Sequence, residues 1–173
     1  MRKLYTVAFP SLAEAHMRCI AEFRAKHDRQ AGVLGPHFTL LFACEAVDEA
    51  IYVDHVRTIA ATTRAFPFRC RTAEPDADKN TGYVFLVPDT GRDAVTALHD
   101  ALYTGPLAPF LRKDIPFVAH ITIGHGADLP AVARLCEALN ARGIDVAGTV
   151  AHIVVGCIEN DRFVELTRLP LLS

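Results

Sequence analysis

Two stretches, His37-Phe38-Thr39-Leu40 and His120-Ile121-Thr122-Ile123, repeat the order histidine, hydrophobe, threonine, hydrophobe inside apolar, strand-like runs. A strand turns alternate side chains to opposite faces. Each run therefore buries its hydrophobes on one side and presents an imidazole and a hydroxyl on the other. The repetition constrains the fold: two comparable half-structures must each place a polar strand face where the other can reach it.

The sequence around the motifs supports this duplication. Leu4 to Phe9 reads as a first strand, halted by Pro10. Ser11 and Glu14 have the spacing of a capping box, and Leu12, Ala15, Cys19, Ile20 and Phe23 supply the apolar stripe of a helix running to about Arg29. Gly32, Gly35 and Pro36 break the chain, so His37 is expected at the first or second position of a strand reaching Ala43, near a sheet end where a cleft can open. Asp48 starts a helix that turns Tyr52, Val56 and Ile59 inward. Phe66 to Thr72 alternates as a strand, Glu74 to Gly82 reads as a polar hairpin connection, and Tyr83 to Val87 returns, closed by Pro88. Asp89 or Thr90 is the expected cap of a helix with Val95, Leu98 and Leu102 on one face, ended by Gly105-Pro106. Phe117 to Gly124 carries the second motif. Asp128 then caps a helix bearing Leu129, Val132, Cys136 and Leu139, terminated at Gly143. Val146 to Ile158 and Phe163 to Leu169 are the last strands, joined by Glu159-Asn160-Asp161. Each half thus brings one motif strand, a following helix and a hairpin. The short hairpins favour an α+β fold with largely antiparallel sheets.

At 173 residues and 51% hydrophobic composition, the chain can build a core within one domain or two small lobes. A net charge of −2 gives no global attraction to a polyanion, so any RNA contact must be local, to an end or a few nucleotides. Without tryptophan, base stacking would fall to Phe, Tyr, His or Arg. Cys19, Cys44, Cys70, Cys136 and Cys157 include no Cys-x-x-Cys pair and read as reduced, mostly buried hydrophobes. Met1-Arg2-Lys3 leads straight into a strand, and no apolar run has signal or transmembrane length. A cytoplasmic monomer without membrane contact is expected.

Histidine titrates near pH ~6.5, so one imidazole can accept a proton while a second donates one. At a cyclic phosphodiester, the base would activate water and the acid would protonate the leaving oxygen. Thr39 and Thr122 would donate hydrogen bonds to the nonbridging oxygens as charge builds. This arrangement requires no metal and no cofactor. A zinc site would need further ligands, and only His125 is close in sequence. Two other readings stand beside catalysis: a non-catalytic module that binds phosphorylated nucleotides, and a repeated structural element whose hydrogen bonds serve only the fold.

Pro36-His37-Phe38-Thr39-Leu40 and Ala119-His120-Ile121-Thr122-Ile123-Gly124, with their placement in two halves, resemble the two-histidine (2H) phosphoesterase superfamily. The specific resemblance is to RNA 2′,3′-cyclic phosphodiesterases, also called 2′-5′ RNA ligases. It spans nearly the whole chain and implies a single bilobal domain over residues 1–173, with pseudo-twofold symmetry around a central cleft. It also implies opening of a 2′,3′-cyclic phosphate, at an RNA end or on a nucleotide, to a 2′-phosphomonoester. Mapped by motif, His37 would be the acid beside the leaving O3′ and His120 the base, an assignment that the symmetry leaves reversible. Thr39 and Thr122 map to the phosphate-binding hydroxyls. The family is also linked to 2′-5′ ligation, in which a 5′-hydroxyl replaces water.

Around this pair, Arg69 and Arg71 share a strand face and could reach a phosphate or base; a solvated surface is their simpler role. Tyr83 and Phe85 share a face and offer a stacking wall, as does Phe9, with core packing the plainer explanation. Arg112, beside Lys113, could steer a phosphate. His125 has strand parity opposite to His120 and would border the pocket without acting in catalysis.

Overall fold

The computed structural model describes residues 2–173. In chain order the elements are β1 (Leu4–Ala8), β2 (Ser11–Leu12), α1 (Glu14–His27), β3 (Phe38–Cys44), α2 (Glu49–Ala60), β4 (Phe66–Asp78) and β5 (Thr81–Thr90). There follow α3 (Arg92–Leu102), a 3-10 turn (Gly105–Phe110), β6 (Ile121–Gly126), α4 (Leu129–Ala141), β7 (Val146–Val150), β8 (His152–Glu159) and β9 (Arg162–Pro170). The strands form one sheet in the order β2-β7-β4-β5-β6-β3-β1-β8-β9, and neighbouring strands run antiparallel. The fold is α+β and bilobal. Its lobes meet where β3 and β6, the two motif strands, touch through the single pair Phe38 and Ile121.

The duplication is present, but its third strands are exchanged. One unit runs β1-α1-β3-α2-β4 and the other β5-α3-β6-α4-β8. β4 lies on β5 and β8 lies on β1, so each unit completes the other's sheet. The hairpin of the first half therefore belongs to the lobe of the second motif. This corrects the expectation that each half keeps its own hairpin.

Alternation separates two faces. Phe38, Leu40, Ile121 and Ile123 are buried on the helix side of the sheet, together with Val84 and Leu86. Tyr52 of α2 is fully buried there and its hydroxyl bonds to that of Thr6, at 2.8 Å. Asp48 caps α2 by accepting from the amides of Ala50 and Ile51, and Asp128 caps α4 through Ala131. Val95, Leu98 and Leu102 are buried as their spacing predicts, as are Val132, Cys136 and Leu139.

Several local expectations are corrected. Ser11 is no helix cap: it pairs with Thr149 in β2, and Ala13 takes the N-cap position of α1 with no side-chain bond. Sheet pairing outcompetes the capping box there. Neither Asp89 nor Thr90 caps α3; Gly91 does, at φ 82, where an added Cβ would lie 2.5 Å from the Pro67 carbonyl oxygen. The polar segment after Thr72 is strand as far as Asp78, leaving a tight turn at Lys79-Asn80. Pro75 is tolerated because β7 pairs with β4 only up to Cys70, so the later part of β4 is a free edge. Pro88 does not end β5, which continues to Thr90. His37 and Phe117 to His120 precede their strands rather than lying within them. Ala151 divides the run from Val146 to Ile158 into β7 and β8. Four of the cysteines are buried, but Cys19 is exposed, and Leu129 is 41% exposed.

Candidate functional site

The Phe38–Ile121 pair organises the site. Antiparallel register about that pair sets His37 opposite Thr122 and Thr39 opposite His120. Because Phe38 and Ile121 point into the core, the four polar side chains share the other face. Each histidine sits one residue before its strand, where the chain leaves the ladder, and both are half-buried.

Each imidazole is fixed by the same device. His37 Nδ1–H donates to the Gly35 carbonyl at 2.8 Å, and His120 Nδ1–H donates to the Val118 carbonyl at 2.6 Å. A carbonyl can only accept, so both rings carry their proton on Nδ1 and leave Nε2 as the free base nitrogen. Among the described residues, neither the Thr39 nor the Thr122 hydroxyl makes a side-chain hydrogen bond.

Burial pushes His37 down to about 4; nearby Arg24 and His120 act in the same direction, opposed by the Gly35 carbonyl and Asp28. His120 is also lowered by burial, against the upward pull of the Val118 carbonyl and Asp76. The effect of His120 on His37 fits a shared site. Their aromatic neighbours differ: His120 stacks on Phe85 at 3.6 Å, whereas Phe9 meets His37 edge-on at 6.1 Å.

A cavity of about 230 Å³ adjoins this face, lined by Arg29, Gln30, Thr81, Tyr83, Thr122 and His125. His125 reaches it because β6 carries a bulge. Phe85 pairs with Thr122 and Tyr83 with His125, so the register slips by one residue between them and the parity after Thr122 reverses. This corrects the simple alternation expected for His125. At the bulge, Gly124 lies under the end of α1, where a Cβ would meet that of His27 at 3.2 Å.

Beneath the cavity lies a buried ionic network. Arg24 Nε donates to Asp28 Oδ2 at 2.7 Å, and Arg24 Nη2 donates to the Leu34 carbonyl at 2.8 Å. Asp28 Oδ1 accepts from the Gln30 amide at 2.8 Å and lies 3.1 Å from His125 Nδ1. The network therefore holds both the loop leading to His37 and the ring of His125. Across the junction, buried His99 of α3 donates through Nδ1 to the Leu40 carbonyl at 2.8 Å and stacks on Phe117 at 3.6 Å. It thereby links β3 to the segment leading into His120.

Of the surrounding residues singled out in the sequence, Phe9, Tyr83 and His125 join the paired motifs. The three arginines are engaged elsewhere. Arg69 Nε donates to Asp145 at 2.7 Å, Arg71 Nε to Asp89 at 2.6 Å and Arg112 Nε to Asp114 at 2.9 Å. Arg69 and Arg71 also sit on β4, two strands from β6. Arg29, Gln30 and Thr81 carried no repeated motif that would have marked them. Arg24 and Asp28 have helical i,i+4 spacing, which ordinarily signals an exposed pair; only the loop folding over them buries them.

Among the described residues, no three His, Cys, Asp or Glu side chains converge as metal ligands, and no helix is long and apolar enough to cross a membrane.

Known proteins resemble this chain in sequence and in fold. A protein of Geobacillus sp. (strain WCH70), a phosphoesterase by provisional name, is 32% identical over 111 residues, covering 62% of this chain and 60% of its own length. A Bacillus cereus (strain B4264) protein with the same kind of name is 30% identical over 105 residues, covering 60% of this chain and 59% of its own length. The chain therefore matches about 60% of the length of these relatives. Escherichia coli LigT complexed with 3′-AMP shares the fold at TM-score 0.66 and 16% identity, over 99% of both chains. TT0787 of Thermus thermophilus does so at TM-score 0.61 and 16% identity, over 98% of this chain and 97% of its own. A family model matches residues 9–162, nearly the full span that holds both histidine-threonine strands, and by that match the chain belongs to the 2′-5′ RNA ligase superfamily.

Proposed function

We propose that the protein hydrolyses a 2′,3′-cyclic phosphodiester, on a nucleotide or at an RNA end, to the 2′-phosphomonoester. The observation that carries this reading is the pair of Nδ1-anchored imidazoles, each set across the junction from a threonine hydroxyl without a side-chain partner. One Nε2 takes a proton from water as its oxygen forms a bond to phosphorus. The P–O3′ bond breaks on the opposite side, and the second imidazole, protonated on Nε2, delivers that proton to O3′. Thr39 and Thr122 donate to the nonbridging oxygens, where negative charge grows. The water proton is on the first imidazole at the end of the step, and exchange with solvent resets the pair.

The electrostatics favour one allocation of roles. His37 carries the larger downward displacement, so in the free protein the proton rests preferentially on His120. His120 would then be the acid and His37 the base, the reverse of the assignment implied by resemblance alone. Ligation uses the same geometry with a 5′-hydroxyl in place of water. Bound 3′-AMP in LigT makes a nucleotide an apt first substrate to test.

The test is turnover of nucleoside 2′,3′-cyclic phosphates in the presence of a chelator, with the product identified by phosphorus NMR. Turnover to the 2′-phosphomonoester is expected, with a loss of about 10²–10⁴-fold for His37→Ala or His120→Ala. Undiminished activity in both variants would refute the reading. Saturable binding without turnover would favour a binding module instead.

A further inference from the structure

The cavity beside Thr122 has a composition the cyclic phosphate alone does not require. Arg29, Gln30, Thr81, Tyr83 and His125 all bring hydrogen-bond donors to about 230 Å³. Other arginines are neutralised: Arg24 beneath the cavity by Asp28, and farther away Arg69 by Asp145, Arg71 by Asp89 and Arg112 by Asp114. Arg29 is exposed at the cavity and, among the described residues, makes no ion pair. Asp28, 2% exposed at its side chain, holds His125 through Nδ1 and leaves Nε2 as the ring nitrogen available to a ligand. A lining rich in donors, with one uncompensated guanidinium, suits a compact anion.

Acidic residues beside one wall of the cavity limit the size of that anion. Asp76 and Asp78 of β4 pair with Tyr83 and Thr81 of the cavity wall, and Glu74 pairs with Phe85. This acidic edge repels an extended chain of phosphates, whereas a single phosphate is offset by Arg29, which lines the same cavity.

We propose that this cavity is a second-anion subsite, and that the preferred substrate is a mononucleotide 2′,3′-cyclic phosphate bearing a further phosphate at its 5′ end. The inference rests on the cyclic-phosphate reading above and narrows its substrate class. Thr122 lies in both sites, so one hydroxyl separates the reacting phosphate from the second anion. A phosphodiester of an RNA chain offers related chemistry at the same 5′ position, but carries a single negative charge against the nearly two of a phosphomonoester.

Three substrates separate these possibilities: adenosine 2′,3′-cyclic phosphate, the same molecule with a 5′-phosphate, and the dinucleotide ApA ending in a 2′,3′-cyclic phosphate. The 5′-phosphorylated mononucleotide is expected to exceed the unphosphorylated one by about tenfold or more in kcat/KM, with the dinucleotide below it. Arg29→Ala should bring the ratio of the two mononucleotides close to one, and Arg29→Lys should retain part of it. Equal rates for the mononucleotides in the wild-type protein, or a ratio unchanged in Arg29→Ala, would overturn the subsite. A dinucleotide at least as good as the 5′-phosphorylated mononucleotide would overturn the assignment of substrate class. Calorimetric binding of the two mononucleotides to His37→Ala reads the same preference without turnover. Failure of the catalytic reading and failure of the subsite are therefore told apart.

Discussion

The two imidazoles make the pH dependence of the reaction a sharp test. Water solvates imidazolium better than a half-buried site does, so burial moves both histidines in one direction, toward lower pH. His37 lies at about 4 and His120 also lies below the usual 6.5. In the proposed reaction the productive form holds one proton between the two Nε2 atoms, and its pH window moves down with them. At pH ~7.5 a group titrating below ~6.5 is protonated in fewer than about one molecule in ten. kcat/KM, which reports the free enzyme, should therefore peak on the acid side of ~6.5 and fall about tenfold per pH unit above it. By pH ~7.5 it should be roughly tenfold or more below its maximum. A cyclic phosphate bound as proposed would be an anion and favour imidazolium, so the alkaline limb of kcat should lie at higher pH than that of kcat/KM. Initial rates from about pH 4.5 to about 8.5 at constant ionic strength, on a nucleoside 2′,3′-cyclic phosphate, measure both. An optimum of kcat/KM at pH ~7 or above would refute the argument that desolvation governs this pair.

Other consequences can be measured without substrate. His37 favours its neutral form in the fold, so its contribution to stability is complete above about 6.5 and is lost as pH falls toward about 4, a change of roughly 3 kcal/mol. Denaturant unfolding at neutral and acid pH should show most of that loss in the wild type and less in His37→Gln; identical acid losses in the two would reject it. Arg24→Met strands the buried Asp28 carboxylate and should destabilise the protein by about 3–5 kcal/mol, whereas the double change Arg24→Met/Asp28→Leu should recover a large part. A double variant no more stable than the single one would show that the charge pair is not the cause. His99→Phe keeps a ring against Phe117 but leaves the Leu40 carbonyl without its donor, so a loss of about 1–3 kcal/mol is expected; thermal unfolding indistinguishable from wild type would count against it.

The signals that sequence reading captured are local ones. Asp48 and Asp128 each precede a helical apolar stripe, and each caps the helix expected. Val95, Leu98 and Leu102 needed only helical periodicity to be placed in the core. The paired motifs were visible because hydrophobes alternate with polar residues. Longer-range features were not. Asp76 and Asp78 disfavour strand by composition, and their strand exists because β5 supplies a partner across a two-residue turn. The capping-box spacing of Ser11 and Glu14 was legible, but β7, far along the chain, claims Ser11 instead. The bulge that turns His125 into the cavity changes parity within β6 and depends on register with β5. The exchange of third strands follows from tertiary pairing, which the local sequence order does not encode.

The symmetry of the site stops at the groups poised for substrate. Both histidines use an i−2 carbonyl and both threonines present an uncommitted hydroxyl, but the braces behind them are unrelated. The loop before His37 is held by Arg24 through the Leu34 carbonyl, which brings a cation near that imidazole and helps lower it. The segment before His120 is held by the stack of Phe117 on His99, and the charge acting on His120 is Asp76, which opposes the effect of burial. Two geometrically equivalent imidazoles thus sit in unequal electrostatic surroundings. Concerted acid–base opening of a cyclic phosphodiester uses an acid and a base that differ at the moment of reaction. In the proposed reaction the asymmetric braces would supply that difference before substrate arrives, with His120 as the acid.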